Sequence, residues 1–596
     1  MTRRVGQGLA AAAVLIGVVT ILARVVGFAK QVVLARTVGT NCLATAYVTA
    51  NQVPNIVFEV VVGGALAGMV VPVLAGAASR AQAGDDEEAR RRVGRITSAL
   101  LTWVLALLVP LSVVTALAAG PVIRLLAGDV GGCDGADLTA VATRMLIVFA
   151  PQIPLYGLAV VLYGVLQAHR RFTGPAVAPL VSSLVVIVGY LAFVPLGGRA
   201  VDGLSVPRPA ELALSVGTSL GVLALVVAVA GPYSRLRLPL RPTFRFPDGV
   251  AGQVRRLAVA GLSALIAQQA AMALVVWLAN RRVGGGALAG YSFAWAVYQV
   301  PYAVLAVPIA TSAFPALSAR AESGDRQGFA ALSAQTTRAV VLVSGLAAGW
   351  LAAVAAPVAG VFVDGMPTSV SAAELARSIA LFAPGLVGYG LVAHLGRVLY
   401  ASARGRAAAS GTVAGWVVVM VAQTAFALTF PGPWKLGGLA LGSAAGMTAG
   451  AALLLAAVAR AHGAAALAGV VRALLTAVAA GGAAFLAGQA ITSRVTVHGP
   501  VAHAGMAALA GLAAVAVSLA VAAAVDRRDL APLLARVRGA VTRRRPQDPG
   551  RVTPGRADEA GTGTPGPAEE TETGAPGRTE GAEAGAAAER PGARGV

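Results

Sequence analysis

"PQIPLYGLAVVLYGVLQAHRR", residues 151–171, is an apolar run opened by a proline and closed by two arginines. It returns at 384–404 as "PGLVGYGLVAHLGRVLYASAR", with Pro, Tyr-Gly-Leu, Val-Leu and the closing Arg in step. Each copy is long enough, as a helix, to cross a hydrocarbon layer about 30 Å thick. Other segments keep nearly the same interval. "SRAQAGD" at 79–85 returns as "ARAESGD" at 319–325, and "QVP" ending at Pro54 returns ending at Pro301. Six membrane-crossing helices fit in that interval, so the copies share one orientation. That is a parallel repeat about an axis along the membrane normal, the plan of two lobes rocking about a central cleft.

The whole chain has the composition this requires. It is 57% hydrophobic and 12% charged, with mean hydropathy +0.75, whereas soluble domains carry roughly 25% charged residues. Backbone polar groups in lipid must be satisfied within the segment, so the apolar runs are helices. Their spacing predicts an all-α integral membrane protein of about fourteen transmembrane helices. These lie near 8–36, 43–76, 97–119, 142–167, 175–195, 211–233, 257–280, 287–315, 338–362, 378–401, 408–430, 436–459, 470–491 and 501–525. Helices 1–6 (1–256) and 7–12 (257–460) are then two six-helix lobes around a central cavity. Helices 13–14 (461–525) are an appendix, and 526–596, rich in Gly, Pro, Ala, Thr and Glu, is a disordered cytoplasmic tail.

The net charge of +21 would suggest nucleic acid in a soluble protein, but here it sits mostly in short loops and sets topology. The even-numbered loops carry most of it, including Arg90, Arg91, Arg92, Arg235, Arg237, Arg241, Arg255 and Arg256. Basic residues stay on the cytoplasmic side, which places both termini there and the odd-numbered loops outside. The first apolar run continues through Arg24 and Lys30 without a clear cleavage site, so it reads as a retained helix. Cys42 and Cys133 both fall on the outer side, where a disulfide is permitted. The expectation from sequence is nonetheless two unpaired small residues.

A charge near the bilayer centre costs at least about 2.5–3.5 kcal/mol and asks for a reason. Arg24 and Lys30 lie on helix 1, about 9 Å apart along the axis and roughly 120° apart in sector. They suit phosphate oxygens in a wet cavity; snorkelling to the interface or pairing with Glu59 is the plainer alternative. Glu59 on helix 2 is a candidate for neutralising Arg24, for carrying a coupling cation, or for a structural pair. His394 and Arg397 share a face of helix 10, the first reading more naturally as a packing histidine and the second as interfacial. Asn51, Asn55, Gln268, Gln269 and Gln299 either line the cleft or bridge helices. Pro54 and Pro301 each remove a helix hydrogen bond at matching places in the two lobes and are hinge candidates. There is no nucleotide-binding glycine loop, metal-ligand spacing or catalytic triad, and the run Asp85-Asp86-Glu87-Glu88 is followed directly by arginines as in a solvated loop. The chain reads as a transporter rather than an enzyme, with no cofactor.

Four blocks carry a family resemblance: "LARVVGFAKQVVLARTVG" (22–39), "VPNIVFEVVVGGALAGMVVPVL" (53–74), "QAHRRFTGPAVAPLV" (167–181) and "VPYAVLAVPIATSAFPALS" (300–318). They resemble the MurJ/MviN family of the multidrug/oligosaccharidyl-lipid/polysaccharide exporter superfamily, in the manner of its actinobacterial branch. The resemblance implies a bacterial inner-membrane flippase working by alternating access. Its substrate would be lipid II, the undecaprenyl-diphosphate-linked peptidoglycan precursor, with membrane lipid and cell-wall synthesis or division proteins as partners. The family's two basic positions of helix 1 fall on Arg24 and Lys30. Lys at the second keeps charge but loses bidentate phosphate geometry. The family's charged group on helix 8 is replaced by Trp295, Ala296 and Gln299, and Phe58 and Glu59 stand where well-studied members have arginines. An exporter of another lipid-linked oligosaccharide and a cation-coupled drug extruder are the alternatives.

Overall fold

The computed structural model describes residues 2–60, 70, 73–74, 87–198, 204–247, 250–366 and 368–525. The expected tail at 526–596, the C-terminal part of helix 2, and the "SRAQAGD" copy at 79–85 with Asp85 and Asp86 lie outside the described residues. The helices are α1 Thr2–Thr37, α2 Cys42–Phe58, α3 Glu87–Leu117, α4 Gly135–Ala168, α5 Thr173–Gly198, α6 Arg208–Ser234 and α7 Val250–Leu278. They continue as α8 Ala287–Glu322, α9 Arg326–Ala353, α10 Ala372–Ala401, α11 Gly405–Thr429, α12 Gly432–His462, α13 Ala464–Thr492 and α14 Pro500–Val525. Among the described residues thirteen helices are long and apolar enough to cross a membrane. The described part of α2, 17 residues, falls just short of that length. Large apolar side chains point outward from the bundle, among them Leu117, Val471, Leu512 and Val501. Such a surface is stable only against lipid.

The sequence repeat has a structural counterpart. α4 is interrupted just before Gln152 and α10 just before Gly385, at the prolines that open the two copies. Short helices, Ala119–Ala127 and Ala355–Val363, follow α3 and α9. α2 runs through Pro54 and widens to a π-turn at Glu59. In α8 the segment Ala287–Pro301 passes into the π-turn Tyr302–Ala306 before Val307–Glu322 resumes. A proline removes one backbone donor and crowds the preceding turn, and a π-turn absorbs the misfit without ending the helix.

The two halves are tied together at the end carrying the odd-numbered loops. Ser369 N–H donates to Thr40 O at 2.7 Å, and Thr40 and Thr368 form an isolated parallel β-bridge. Gly285 N–H donates to Gly131 O at 2.9 Å, and Gly286 N–H to Thr45 Oγ1 at 2.7 Å. Gly286 sits at φ 76°, and a Cβ there would meet Thr40 O at 2.2 Å, so only glycine allows the two chains this close. Asn280 donates to Thr49 Oγ1 (3.0 Å) and Leu126 O (3.1 Å), Arg281 pairs with Asp129 (3.1 Å), and Arg36 donates to the carbonyl of Asp364. The Asp364 carboxylate accepts from Gly499 N–H at 2.6 Å at the head of α14, with His503 3.4 Å away. That backbone donor, helped by the nearby histidines, holds the carboxyl below the ordinary carboxylate range. α13 packs along α9 through small residues. A Cβ on Gly349 would lie 2.4 Å from Gly481 Cα, the close approach by which helices associate in lipid.

Cys42 and Cys133 are joined by a disulfide, contrary to the expectation of two unpaired residues. Asn41 caps α2 by accepting from Ala44 N–H, which fixes Cys42 as its first residue, and the Gly131–Gly132 turn brings Cys133 to it with Cα atoms 5.7 Å apart. The bond therefore staples loop 1 to loop 3 within the first half. A polymer-tagged maleimide should add no mass to the denatured, unreduced protein and two tags after reduction, as read on a gel; tagging before reduction would contradict the pairing.

Candidate functional site

Five helices, α1, α2, α7 and α8 with Tyr190 of α5, line a chamber of about 410 Å³ between the halves. α2 contributes Val48, Asn51, Gln52, Asn55 and Glu59, spaced by three and four residues and so stacked on one helix face. α8 contributes Ser292, Trp295, Ala296 and Gln299 in the same rhythm, α1 contributes Lys30, Gln31 and Leu34, and α7 contributes Gln268 and Gln269. In a bilayer a polar stripe on an otherwise apolar helix has to turn toward protein or water. Tyr47 helps close the chamber, its hydroxyl sharing hydrogen bonds with those of Tyr190 and Thr218, both at 2.7 Å. Tyr156 donates to Asn55 Oδ1 at 3.3 Å and packs against Phe58, with centroids 4.3 Å apart.

Arg24 stands next to this chamber. It lines a second cavity of about 460 Å³ with Gly27, Gln31, Pro179, Ser183 and Gln299. Gln31, Ala296 and Gln299 are common to both cavities, so the two adjoin. The second cavity reaches Pro175 and Ala176 in the first turn of α5, beside the fourth loop. The adjoining cavities thus lead from Leu34, near the tied end, toward the even-numbered loops. Arg24 is exposed, and its other side borders an apolar cavity of about 320 Å³ lined by Val25, Phe28, Val300, Val304, Trp350 and Ala507. One guanidinium therefore stands where a cavity of mixed lining, holding Gln31, Ser183 and Gln299, meets an apolar one. A larger apolar groove of about 660 Å³ runs between α9, α10, α12 and α13, past Leu381, Val387, Leu391, Val478 and Phe485.

Lys30, Asn51, Asn55, Glu59, Gln268, Gln269 and Gln299 are thus brought together, with Arg24 adjoining. Neither Arg24 nor Lys30 forms an ion pair with Glu59 among the described residues. Pro54 is buried beside the chamber in α2, and Pro301 is buried where α8 enters its π-turn. His394 and Arg397 are not in the chamber lining. His394 is fully buried with Nε2 3.1 Å from Thr336 Oγ1 on α9, and Arg397 donates to Ala393 O on its own helix at 2.6 Å. Gln31, Gln52 and Ser292 are lining residues that sequence reasoning passed over. Their signal was available, since Gln31 and Ser292 lie two helical turns from Arg24 and Gln299 and Gln52 one turn from Asn55, but such spacing also suits helix–helix bridging. Trp295 was noted only as the replacement of a charge. It faces the chamber together with Tyr291, whose ring lies nearly parallel 6.4 Å away, and Tyr298, Phe382 and Tyr389 lie 5.4, 5.6 and 6.2 Å from it between ring centroids.

His394→Leu removes one neutral hydrogen bond from a packed site, so it should lower stability by about 1–2 kcal/mol and leave transport intact. Thermal unfolding in detergent and growth complementation check the two halves of that statement.

The profile of the family described as "Lipid II flippase MurJ" matches residues 34–504. A lipid II flippase MurJ of Burkholderia cenocepacia is 28% identical over 392 residues, covering 64% of this chain and 71% of the relative. A probable lipid II flippase MurJ of Synechocystis is 27% identical over 244 residues, covering 40% and 43%. A solved structure described as a lipid II flippase MurJ in an inward closed conformation superposes with TM-score 0.64 at 17% identity, over 86% of this chain and 99% of the other. An inward-facing multidrug resistance transporter of the MATE family superposes with TM-score 0.59 at 15% identity, over 74% and 95%. At these identities the two superpositions speak for the fold alone.

Proposed function

This chain belongs to the MurJ lipid II flippase family, and from that premise we propose that it carries lipid II from the inner to the outer leaflet, gripping the diphosphate with Arg24 and Lys30. The single observation that carries the site assignment is the position of Arg24 on the boundary between an apolar cavity and one of mixed lining that carries Gln31, Ser183 and Gln299. A polyprenyl-diphosphate lipid has that same boundary in its own chemistry, a strongly anionic head joined to a hydrocarbon tail. Guanidinium suits phosphate through two parallel charge-assisted hydrogen bonds, whereas Lys30 supplies a point charge deeper in the chamber. The tail has apolar space beside Arg24, and the groove between α9, α10, α12 and α13 offers more.

The orientation belongs to the same proposal. With the odd-numbered loops outside, the ties around Thr40, Gly286 and Asp364 form a closed outer gate, and the path past Arg24 opens to the cytoplasm. Both termini are then cytoplasmic. Alternating access requires the outer ties to break while the inner path closes, with the π-turns after Pro54 and Pro301 as the places where α2 and α8 bend. Moving anionic charge outward across an inside-negative membrane is favoured by about 2.3 kcal/mol per charge per 100 mV, so the membrane potential can drive the step. The lack of an ion pair on Glu59 gives it no assigned part in gripping the head.

Arg24→Ala should weaken lipid II binding roughly 10–100-fold, the loss of a charge-assisted contact worth about 1.5–3 kcal/mol. Lys30→Arg should keep function and Lys30→Ala lose much of it, while Glu59→Gln should be tolerated. Complementation of a depleted strain, scored by lipid II accumulating on the inner leaflet, ranks the four variants. The reverse ranking, with Glu59 essential and Arg24 dispensable, would point to a cation-coupled extruder, and accumulation of a different lipid-linked glycan to another substrate. For the orientation, a cysteine placed at Ser292 in the chamber should react with a membrane-impermeant thiol reagent added to inside-out vesicles. The same reagent added to intact spheroplasts of de-energised cells should leave it unmodified.

A further inference from the structure

The diphosphate accounts for the cations but not for most of the chamber wall. Among the lining residues Lys30 and Glu59 carry the only charges, and the remaining polar groups are dominated by amides: Gln31, Asn51, Gln52, Gln268 and Gln269 among them. Elsewhere in the bundle buried amides are engaged through their NH2 groups, although the side-chain oxygens of Gln152, Asn280 and Gln423 are themselves without a partner among the described residues. Gln423 donates to Ser443 Oγ at 2.8 Å and Leu439 O at 3.0 Å, Gln152 donates to Ser219 Oγ at 3.0 Å, and Asn280 reaches across to Thr49. Of the seven amides lining the chamber, Asn55 accepts from Tyr156 and Gln299 bonds Tyr389, while Gln31, Asn51, Gln52, Gln268 and Gln269 have no side-chain hydrogen bond among the described residues. A polar group left unpaired away from water costs about 1–3 kcal/mol, so such a set persists only where water or a ligand meets it.

Each amide presents two donors and an acceptor at one end, which matches groups that both give and take hydrogen bonds. Sugar hydroxyl and acetamido groups are of this kind. A peptide rich in carboxylates would instead call for more cations than Lys30, and a cationic drug for more acids than Glu59. Beside the amides, on the same face of α8 as Ser292 and Gln299, stands Trp295, held by Tyr298, Phe382 and Tyr389. A ring held in this way is a flat apolar plate beside hydrogen-bonding groups, the complement of a pyranose with its C–H face and its ring of hydroxyls.

Resting on the flippase reading above, we propose that this chamber recognises the saccharide of the head group, with Asn51, Gln52, Gln268 and Gln269 bonding its hydroxyl and acetamido groups and Trp295 stacking on a sugar ring. Specificity then resides in sugar contacts on α2, α7 and α8, and the diphosphate contacts on α1 are common to any polyprenyl-diphosphate lipid.

Native mass spectrometry of the full-length protein in detergent can separate the two sets of contacts with three lipids. These are undecaprenyl diphosphate bearing the N-acetylglucosaminyl-N-acetylmuramyl pentapeptide, the same disaccharide lipid without its peptide, and bare undecaprenyl diphosphate. The unmodified protein should bind both sugar-bearing lipids about tenfold more tightly than the bare one. Trp295→Leu, and separately the double variant Gln268→Leu/Gln269→Leu, should bring the sugar-bearing lipids down to the level of the bare lipid without changing the bare lipid's own affinity. Trp295→Phe, which keeps the plate, should retain the preference. Arg24→Ala should weaken all three alike. The proposal is overturned if the unmodified protein binds all three lipids equally, if the peptide-free disaccharide lipid binds as weakly as the bare one, or if the Trp295→Leu and glutamine variants weaken all three in parallel. Binding of none of the three by the unmodified protein would overturn the flippase reading as well.

Discussion

Hydrocarbon offers no partner to a hydrogen-bonding group, and that constraint organises this molecule from backbone to chamber. It makes every crossing segment a helix, because only a helix satisfies its own N–H and C=O groups. It then sorts the side chains. Leu117, Val471 and Leu512 face outward at no cost, while Asn51, Gln52, Asn55 and Glu59 turn inward together because they recur every three or four residues on α2. The chamber is the space into which the polar stripes of four helices are driven.

The same constraint gives the ties between the halves their leverage. Near the odd-numbered loops the chain leaves the helices, so backbone groups are free to bond across the interface. Thr40, Gly131, Gly285 and Ser369 use theirs in this way. These are individually ordinary hydrogen bonds, each contributing about 1 kcal/mol net, weak enough to break if they form the gate proposed above. The disulfide between Cys42 and Cys133 lies beside the gate but within one half, and so stiffens one side of it without locking the two together. Asp364 gathers Arg36 of α1 and Gly499 at the head of α14 onto one loop. The short helix 355–363 and the head of α14 thereby join the ties between the halves.

The resemblance read in the sequence implies a charged group of α8 where Trp295 and Gln299 stand, and arginine where Glu59 stands. What is left positive is confined to α1, with Arg24 at the apolar boundary and Lys30 inside. On the proposed reading, holding the diphosphate and reading what is attached to it fall to different helices.

The sequence by itself determined the membrane class, the helix order and the recurrence of 151–171 at 384–404, because hydrophobic length and repeat spacing are local properties of the chain. It also singled out Arg24 and Lys30, since a charge inside an apolar run is conspicuous wherever the run packs. Only the tertiary structure decided which polar residues share a space. Gln299 faces the chamber while His394, equally polar and equally embedded in a helix, packs against Thr336. Helical spacing fixes which residues share a face but not what that face meets. The pairing of Cys42 with Cys133 across 91 residues was likewise open until loop 3 was folded, because a disulfide depends on where two distant turns come to rest.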